Sequence, residues 1–326
     1  MRVISLSSSV RLALVLLASL AMGADAADLQ VVAPSPPGSG WDELAQAARA
    51  ALTSDADSPS VEIVHVPGGS GTVGLARFLS DAPSDALLVS GLTMLEATLV
   101  QRTPVGLDRL TPIARLSSEY FALVVPAASP VTSVRDLTTA MLADPGKVAW
   151  AGGPARGLDH LAAVLFSQAL AIDPIRLNYV SFLTSADAVI AIGQERVTAA
   201  ILPIGEIEAE ARAGRVRVLA VTSPARGEGS DVPTLVELGV PLELANWRGV
   251  LAKPQIGSEQ RERLTRLVAK VAASQPWRAA LARRGWQSSY LEADEFGLFI
   301  RREQARLKEA LKAAGLLKPE PPEPGR

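Results

Sequence analysis

Two glycine-rich turns carry most of the chemistry that can be read from this chain: Pro36-Pro37-Gly38-Ser39-Gly40-Trp41-Asp42 and Pro67-Gly68-Gly69-Ser70-Gly71-Thr72. Each follows a short apolar run and opens a stretch of helical spacing. Leu29 to Ala33 and Val61 to Val66 read as strands, while Leu44, Ala45, Ala48 and Leu52 share one helical face, as do Leu75, Ala76 and Leu79. The first N–H groups of a helix have no partner within it, and the macrodipole adds partial positive charge there. A carboxylate or phosphate can therefore be held without a basic side chain. Glycine lets such a ligand approach the backbone closely. Neither turn has a Walker lysine followed by Ser or Thr, nor the full GxGxxG spacing with an acid about 20 residues on, so nucleotide binding is disfavoured.

Other reactive groups are few. His65 and His160 are the two histidines, they show no HxxxH or HxH spacing, and cysteine is absent. No metal and no cofactor are expected, and disulfides and thiolate chemistry are excluded. His65 reads either as a ligand contact beside the second turn or as a hydrogen-bonded histidine at a strand end. Asp42 reads either as a ligand contact or as an acid of the first helical turn, His160 as an aid to the helix after Asp159, and Glu206 as an acid complementing a helix dipole. Ser39 and Ser70 sit in glycine-rich turns, yet neither belongs to a G-x-S-x-G pattern with a partner histidine. The chain is expected not to be an enzyme.

The elements that must position these turns follow an alternating pattern. Strand-like runs recur at Ala86 to Ser90, Ala122 to Val125, Val148 to Ala151, Leu177 to Val180, Ala199 to Leu202, Val216 to Val221 and Val250 to Ala252, with helical patterns between them. That order predicts an α/β protein with mostly parallel sheets. Glu119 to Pro126 and Ala245 to Leu251 read as crossovers between two lobes. Lobe 1 is then discontinuous, 27–125 plus 247–317, with lobe 2 at 126–246 and a ligand cleft between them. Trp247 is expected to be buried at the crossover, and Arg248 to pair with an acid across the lobes.

The 326 residues, 48% of them hydrophobic, suffice for two cores. Met1 to Ala26 reads as a secretory signal peptide, with Arg2 and Arg11 ahead of Leu12 to Met22 and small residues Ala24 and Ala26 marking cleavage near Ala26; a periplasmic protein is expected. The net charge of −2 gives no footprint for nucleic acid. The tail at 318–326, rich in proline and glutamate, reads as disordered. A monomer is expected.

The residues resemble the periplasmic receptors of tripartite tricarboxylate transporters, also called Bug receptors. The resemblance is carried by Pro37-Gly38 with Trp41-Asp42, Val66-Pro67-Gly68 with Gly71-Thr72 and Gly74, Leu110 to Leu116, Asp144 to Val148, Asp159-His160, Asn178-Tyr179, Val218 to Val221, Pro233-Thr234-Leu235 and Asn246 to Val250. Trp41-Asp42, Asp159-His160 and Asn246-Trp247-Arg248-Gly249 look like the citrate-receptor branch. The resemblance implies a two-lobed type II periplasmic binding fold that closes on a carboxylated solute, tricarboxylate or another organic acid, and delivers it to a membrane permease. It also implies that backbone amides of the first two turns hold one carboxylate. That role falls on Gly38, Ser39, Gly40, Trp41 and Asp42, and on Gly68, Gly69, Ser70, Gly71 and Thr72.

The second lobe then supplies the facing wall from Gly152 to Asp159 and from Ser181 to Asp187, with Gly153, Arg156, Asp159, Phe182, Thr184 and Ser185 as candidate ligand contacts. This wall departs from the citrate-like pattern. Arg156 stands in a stretch that is otherwise small, and reads either as a bidentate contact to a distal carboxylate or as an exposed rim residue. Phe182-Leu183 and Leu202-Pro203-Ile204 make the wall more apolar, which favours a bulky or partly hydrophobic carboxylate if they face the cleft. A second reading is a ligand-sensing adaptor that uses the same pocket and signals to a membrane sensor kinase; a third is an exported hydrolase. Gly69→Val is expected to impair binding more than stability.

Overall fold

The computed structural model describes residues 29–53, 60–227 and 229–317. The expected signal peptide at 1–26 and tail at 318–326 lie outside the described residues. The strands are β1 Leu29–Ala33, β2 Val61–His65, β3 Leu87–Gly91, β4 Thr111–Pro126, β5 Ala149–Gly152, β6 Asn178–Ser181, β7 Ala199–Pro203, β8 Val216–Val221, β9 Ala245–Ala252 and β10 Gln287–Glu292. The helices are α1 Gly40–Leu52, α2 Thr72–Asp81, α3 Leu92–Gln101, α4 Val134–Ala143, α5 Leu158–Ala169, α6 Ser185–Gly193, α7 Ile204–Arg212, α8 Ser258–Ala273, α9 Gln275–Arg284 and α10 Ala293–Ala313. Among the described residues, no helix is long and apolar enough to cross a membrane.

The fold is α/β with two lobes joined through one long strand. The first part of β4 joins a sheet ordered β2-β1-β3-β9-β4-β10, and its last part, from Phe121 onward, pairs with β7 and β8 in a second sheet that continues through β5 to β6. β4 thus passes between lobes near Tyr120 and Phe121, ahead of the expected boundary at 125.

The expectation of mostly parallel sheets needs correction. β1 is parallel to β2 and β3, and β5 is parallel to β6 and β7, but β9 runs antiparallel to β3 and β4, and β4 runs antiparallel to β7, β8 and β10. In the first sheet β9 is the reversed strand between β3 and β4, which leaves β4 in the same sense as β1 to β3, and β4 becomes reversed on entering the second sheet against β7 and β8.

Burial follows the apolar runs. Leu29, Val31 and Ala33 of β1 and Leu44, Ala45, Ala48 and Leu52 of α1 join one apolar cluster with α8 and α9. A larger cluster runs through both lobes, from Val32 and Leu88 to Trp150 and Phe166, and takes in Phe296 and Ile300 of α10. α10 packs against both α3 and α5. The C-terminal helix therefore serves both lobes, where the sequence had assigned it to lobe 1.

Trp247 is fully buried at the crossing, its ring edge-on to Phe296 and Phe299 with centroids 5.6 Å from each. Gly249 follows in β9 because no side chain fits: a Cβ there would lie 2.6 Å from the Ala114 carbonyl oxygen and 2.7 Å from the Phe296 ring. Gly249→Ala is expected to cost about 2 kcal/mol, in the range of overpacked cores. It should appear as a lower urea midpoint at unchanged slope, and an unchanged midpoint would refute this account of the crossing.

Candidate functional site

Parallel neighbours end at the same edge of a sheet, and this places the two turns. Ala33 of β1 is in register with His65 of β2, and the Val66 amide donates to the Ala33 carbonyl at 3.0 Å as the strands finish. The turns leading into α1 and α2 therefore leave side by side. β3, on the other flank of β1, ends at the same edge and opens α3. The Trp41 ring fills the space between them: a Cβ on Gly71 would meet it at 2.8 Å, and one on Gly91 would lie 3.2 Å from its Nε1. Only a residue without a side chain admits that ring, and Gly71 also has φ of 94°. Ser39 and Ser70 thus belong to one rim.

Within the first turn, Ser39 caps α1: its Oγ accepts from the Asp42 amide at 3.4 Å and donates to Ser35 Oγ at 2.5 Å. Asp42 is buried and holds the turn in shape. Its Oδ2 accepts from the Gly38 amide at 2.7 Å, and its Oδ1 is bonded to His65 Nε2 at 2.8 Å and Gln46 Nε2 at 3.0 Å. Burial pushes the Asp42 carboxyl up, but the bonds from Gly38, His65 and Gln46 outweigh it and hold the carboxyl below its ordinary range. Of the two readings of His65, the structure supplies the hydrogen-bonded one. The Gly38 amide is spent on Asp42, so the N–H groups left open in this turn are those of Gly40 and Trp41, the first two of α1.

In the second turn, the Thr72 hydroxyl donates to the Gly69 carbonyl at 2.9 Å, and Gln101 Nε2 of α3 donates to the same oxygen at 3.0 Å. Thr72 is therefore structural. Gly68, Gly69 and Ser70 are exposed, with Ser70 at φ of 55°. A Cβ on Gly69 would collide with the Thr72 hydroxyl at a φ of 58°, so Gly69→Val strains the turn itself and carries a cost in stability beside the expected loss of binding.

Lobe 2 repeats the plan, since β5 lies between parallel β6 and β7 and all three open helices at one edge. Asp159, 5% exposed in the first turn of α5, accepts at Oδ2 from the Gly153 amide at 2.8 Å and from Ser185 Oγ at 2.7 Å. Gly153, Asp159 and Ser185 are thus together. Burial nonetheless lifts the Asp159 carboxyl above its ordinary range. Tyr179 donates to the Gly153 carbonyl at 3.0 Å and stacks on His160 with ring centroids 4.2 Å apart. Thr184 forms a capping box with Asp187, which occupies its hydroxyl on both sides. Arg156 is exposed at φ of 70°, and its amide donates to His160 Nδ1 at 3.1 Å.

The apolar departures do not line the cleft as a group. Leu202 is fully buried, Phe182 and Ile204 pack on the lobe 2 core, and Leu183 is 85% exposed. The case for a bulky hydrophobic ligand therefore lapses.

Sequence reasoning missed the electrostatics of the cleft. Arg248, 8% exposed, forms an ion pair with Glu119 at 2.8 Å, lies 4.0 Å over the Trp286 ring, and approaches the start of α1 so closely that a Cβ on Gly40 would be 3.2 Å from its Nε. The acid that Arg248 finds is on β4 in the same sheet, ahead of the crossing, and not across the lobes as expected. Glu206, exposed at the start of α7, is pushed up to about 7 by desolvation, with Asp159 and Glu119 adding repulsion, and burial pushes Glu96 of α3 up to about 8, with Asp159 adding to it. Glu96 carries no motif; an acid at a mostly apolar helical position was its one signal. A cavity of about 670 Å3 lies elsewhere, between the end of α3 and α10, beside Arg102, Gln304 and Lys308, and holds none of the candidate residues.

A family model described as tripartite tricarboxylate transporter family receptor matches residues 53–316. The match starts after the first turn and includes all the remaining site residues. A curated relative from Pseudomonas sp. (strain P51), described as a UPF0065 protein in the tcbD-tcbE intergenic region, is 29% identical over 250 residues, which is 74% of this chain and 73% of the relative. The crystal structure of a TctC solute-binding protein from Polaromonas, without ligand, is similar at a TM-score of 0.78 and 26% identity, covering 87% of this chain and 97% of that one. An R. palustris protein solved with adipate is similar at a TM-score of 0.68 and 25% identity, covering 88% and 97%.

Asp42→Ala leaves the Gly38 amide and His65 without their acceptor and is expected to cost about 2 kcal/mol at neutral pH, as for hydrogen bonds to a charged group. Because folding lowers the Asp42 pKa, this contribution is complete above the unfolded value near 4 and disappears as pH falls through the folded value. Urea denaturation of both proteins should show a gap at pH 7 that narrows by pH 3; a gap of constant width would reject the ionised network.

Proposed function

Since the chain belongs to the tripartite tricarboxylate transporter family of receptors, we propose that it is an exported periplasmic binding protein that closes its lobes on an organic acid and presents the closed form to the transporter's membrane subunits. One observation carries the reading. Three parallel strands in each lobe end at one edge, and the helices that follow put unpaired first-turn amides, among them those of Gly40 and Trp41, on the rim of the cleft.

A carboxylate bound there supplies the missing acceptors of the helix starts, and Arg248, paired with Glu119, lies beside Gly40. The adipate-bound relative supports a dicarboxylate as the class of ligand. A tricarboxylate of the citrate kind has the same requirement at this rim. The lobe 2 edge, with Gly153, Asp159 and Ser185, gives the closed form its second set of contacts, so affinity depends on how much better the closed state binds than the open one.

A thermal-shift series with succinate, malate, adipate, citrate and phosphate at millimolar concentration tests the reading. A ligand at 100 times its Kd stabilises by about 2.7 kcal/mol, which for lobes of this size raises Tm by about 5 °C or more. At least one carboxylate should do so. A shift with phosphate alone, or with none of the five, would overturn the carboxylate reading.

A further inference from the structure

The two strands that cross between the lobes carry different chemistry on their two faces, because side chains alternate along a strand. Glu119 and Arg248 belong to the face where α1 and α7 start, as their approaches to Gly205 and Gly40 show. Ser118, Tyr120 and Trp247 belong to the other face, which α10 covers with Phe296 and Phe299. Between that face and α10 lies a cavity of about 210 Å3, lined by Ser118, Tyr120, Phe299 and Arg306 and, from lobe 2, by Pro224 and Leu244.

Arg306 spans this gap. Its Nη1 donates to the Glu243 carbonyl at 2.9 Å, and its Nη2 donates to Oε2 of Glu303, one turn back on α10, at 3.0 Å. Glu303 thereby fixes the plane of the guanidinium. α10 itself is fastened at the crossing, where Phe299 lies edge-on to Trp247 and the Arg115 guanidinium covers its ring, Cζ being 4.4 Å from the centroid. Glu243 is held by lobe 2 instead. The next residue, Leu244, exchanges hydrogen bonds of 3.1 and 2.6 Å with Thr222, whose amide donates at 2.9 Å to the Phe121 carbonyl, beyond the crossing. The Nε of Arg306 is buried without a partner among the described residues, which offsets part of the gain and makes the residue a weak contributor to stability.

α10 packs against α3 of lobe 1 and α5 of lobe 2, so a change in lobe orientation has to slip along it. The starts of α1 and α7 stand on the opposite side of the crossing strands from Arg306. Drawing the lobes together on that side carries Glu243 away from α10, and the bond from Arg306 is given up. We propose that Arg306 is a latch behind the crossing, which opposes closure of the lobes and so sets how much of a ligand's binding free energy is spent on closing them. It acts through lobe orientation and is a positioning residue. The inference rests on the closing motion of the proposed function. Loss of the latch raises the closed fraction before any ligand arrives.

The chain has no cysteine, so a spin-label pair can be placed at Ala76→Cys and Ala186→Cys, exposed positions on α2 and α6, which start at the facing edges of the two lobes. Electron–electron distance measurements without ligand then compare this labelled protein with the same protein carrying Arg306→Ala. The population at shorter distances should rise about threefold or more, as for loss of one hydrogen bond from a charged group, with the far-UV circular dichroism unchanged. Arg306→Lys keeps the charge but not the planar fork; it should shift the distribution the same way to a smaller extent, and it decides the matter if Arg306→Ala does not fold. An unchanged distribution, or a rise at longer distances, would overturn the latch. Because no ligand is present, that result leaves the carboxylate reading of the turns to the thermal-shift series.

Discussion

Parallel pairing on both flanks of a central strand is the constraint on which the rest of this molecule depends. β1 is held between β2 and β3, and β5 between β6 and β7. In each case three chain segments must leave the sheet at the same edge, and each does so by starting a helix. The unpaired amides of six helix starts are thereby gathered at two edges without any one residue being placed for the purpose. Ligands of open α/β sheets bind at the carboxyl ends of parallel strands, and the proposed carboxylate rim lies at such an edge.

The glycine turns refine this arrangement, and much of their polar chemistry is internal. Asp42 binds the Gly38 amide, His65 and Gln46, while Thr72 and Gln101 brace the Gly69 carbonyl. These bonds fix the shape of the turns, so a ligand meets backbone groups already held in position and little ordering entropy remains to be lost on binding. Asp159 does the same in lobe 2 by tying the Gly153 amide to Ser185. In both lobes a buried acid near a helix start serves as scaffold.

The sequence was legible where a local pattern carries the structure. Strands such as Leu29–Ala33 and Val216–Val221 fall where their apolar runs stand, and the glycine turns mark the starts of α1 and α2. It was illegible where partners decide. Gln287–Glu292 reads Gln-Ser-Ser-Tyr-Leu-Glu, with no apolar alternation to announce a strand, and becomes β10 only because β4 offers it an antiparallel edge. The start of α3 follows Ser90-Gly91 without a glycine cluster, and its place at the cleft comes from the register of β3 beside β1. Glu96 stands in the mostly apolar run Leu-Thr-Met-Leu-Glu-Ala-Thr-Leu-Val-Gln, and only the fold shows that it is buried. The antiparallel entry of β4 and β9 depends on where the chain crosses, which no single segment encodes.

The crossing also governs how the lobes can move. β4 and β9 are paired from Thr111 with Ala252 to Tyr120 with Ala245, and beyond Tyr120 the partners of β4 are those of lobe 2. A change in lobe orientation therefore has to be absorbed where β4 leaves β9, next to Glu119 and close to Arg248. That ion pair, stacked on Trp286, stands at the meeting point of the start of α1, the crossing strands and the start of α7, where a Cβ on Gly205 would lie 3.6 Å from Glu119 Oε1. A buried pair is weak evidence for stability, because desolvation offsets much of its attraction. Its value here is positional: Glu119 balances the charge of Arg248, and under the proposed function an anion at the start of α1 would compete for the same guanidinium beside the crossing strands.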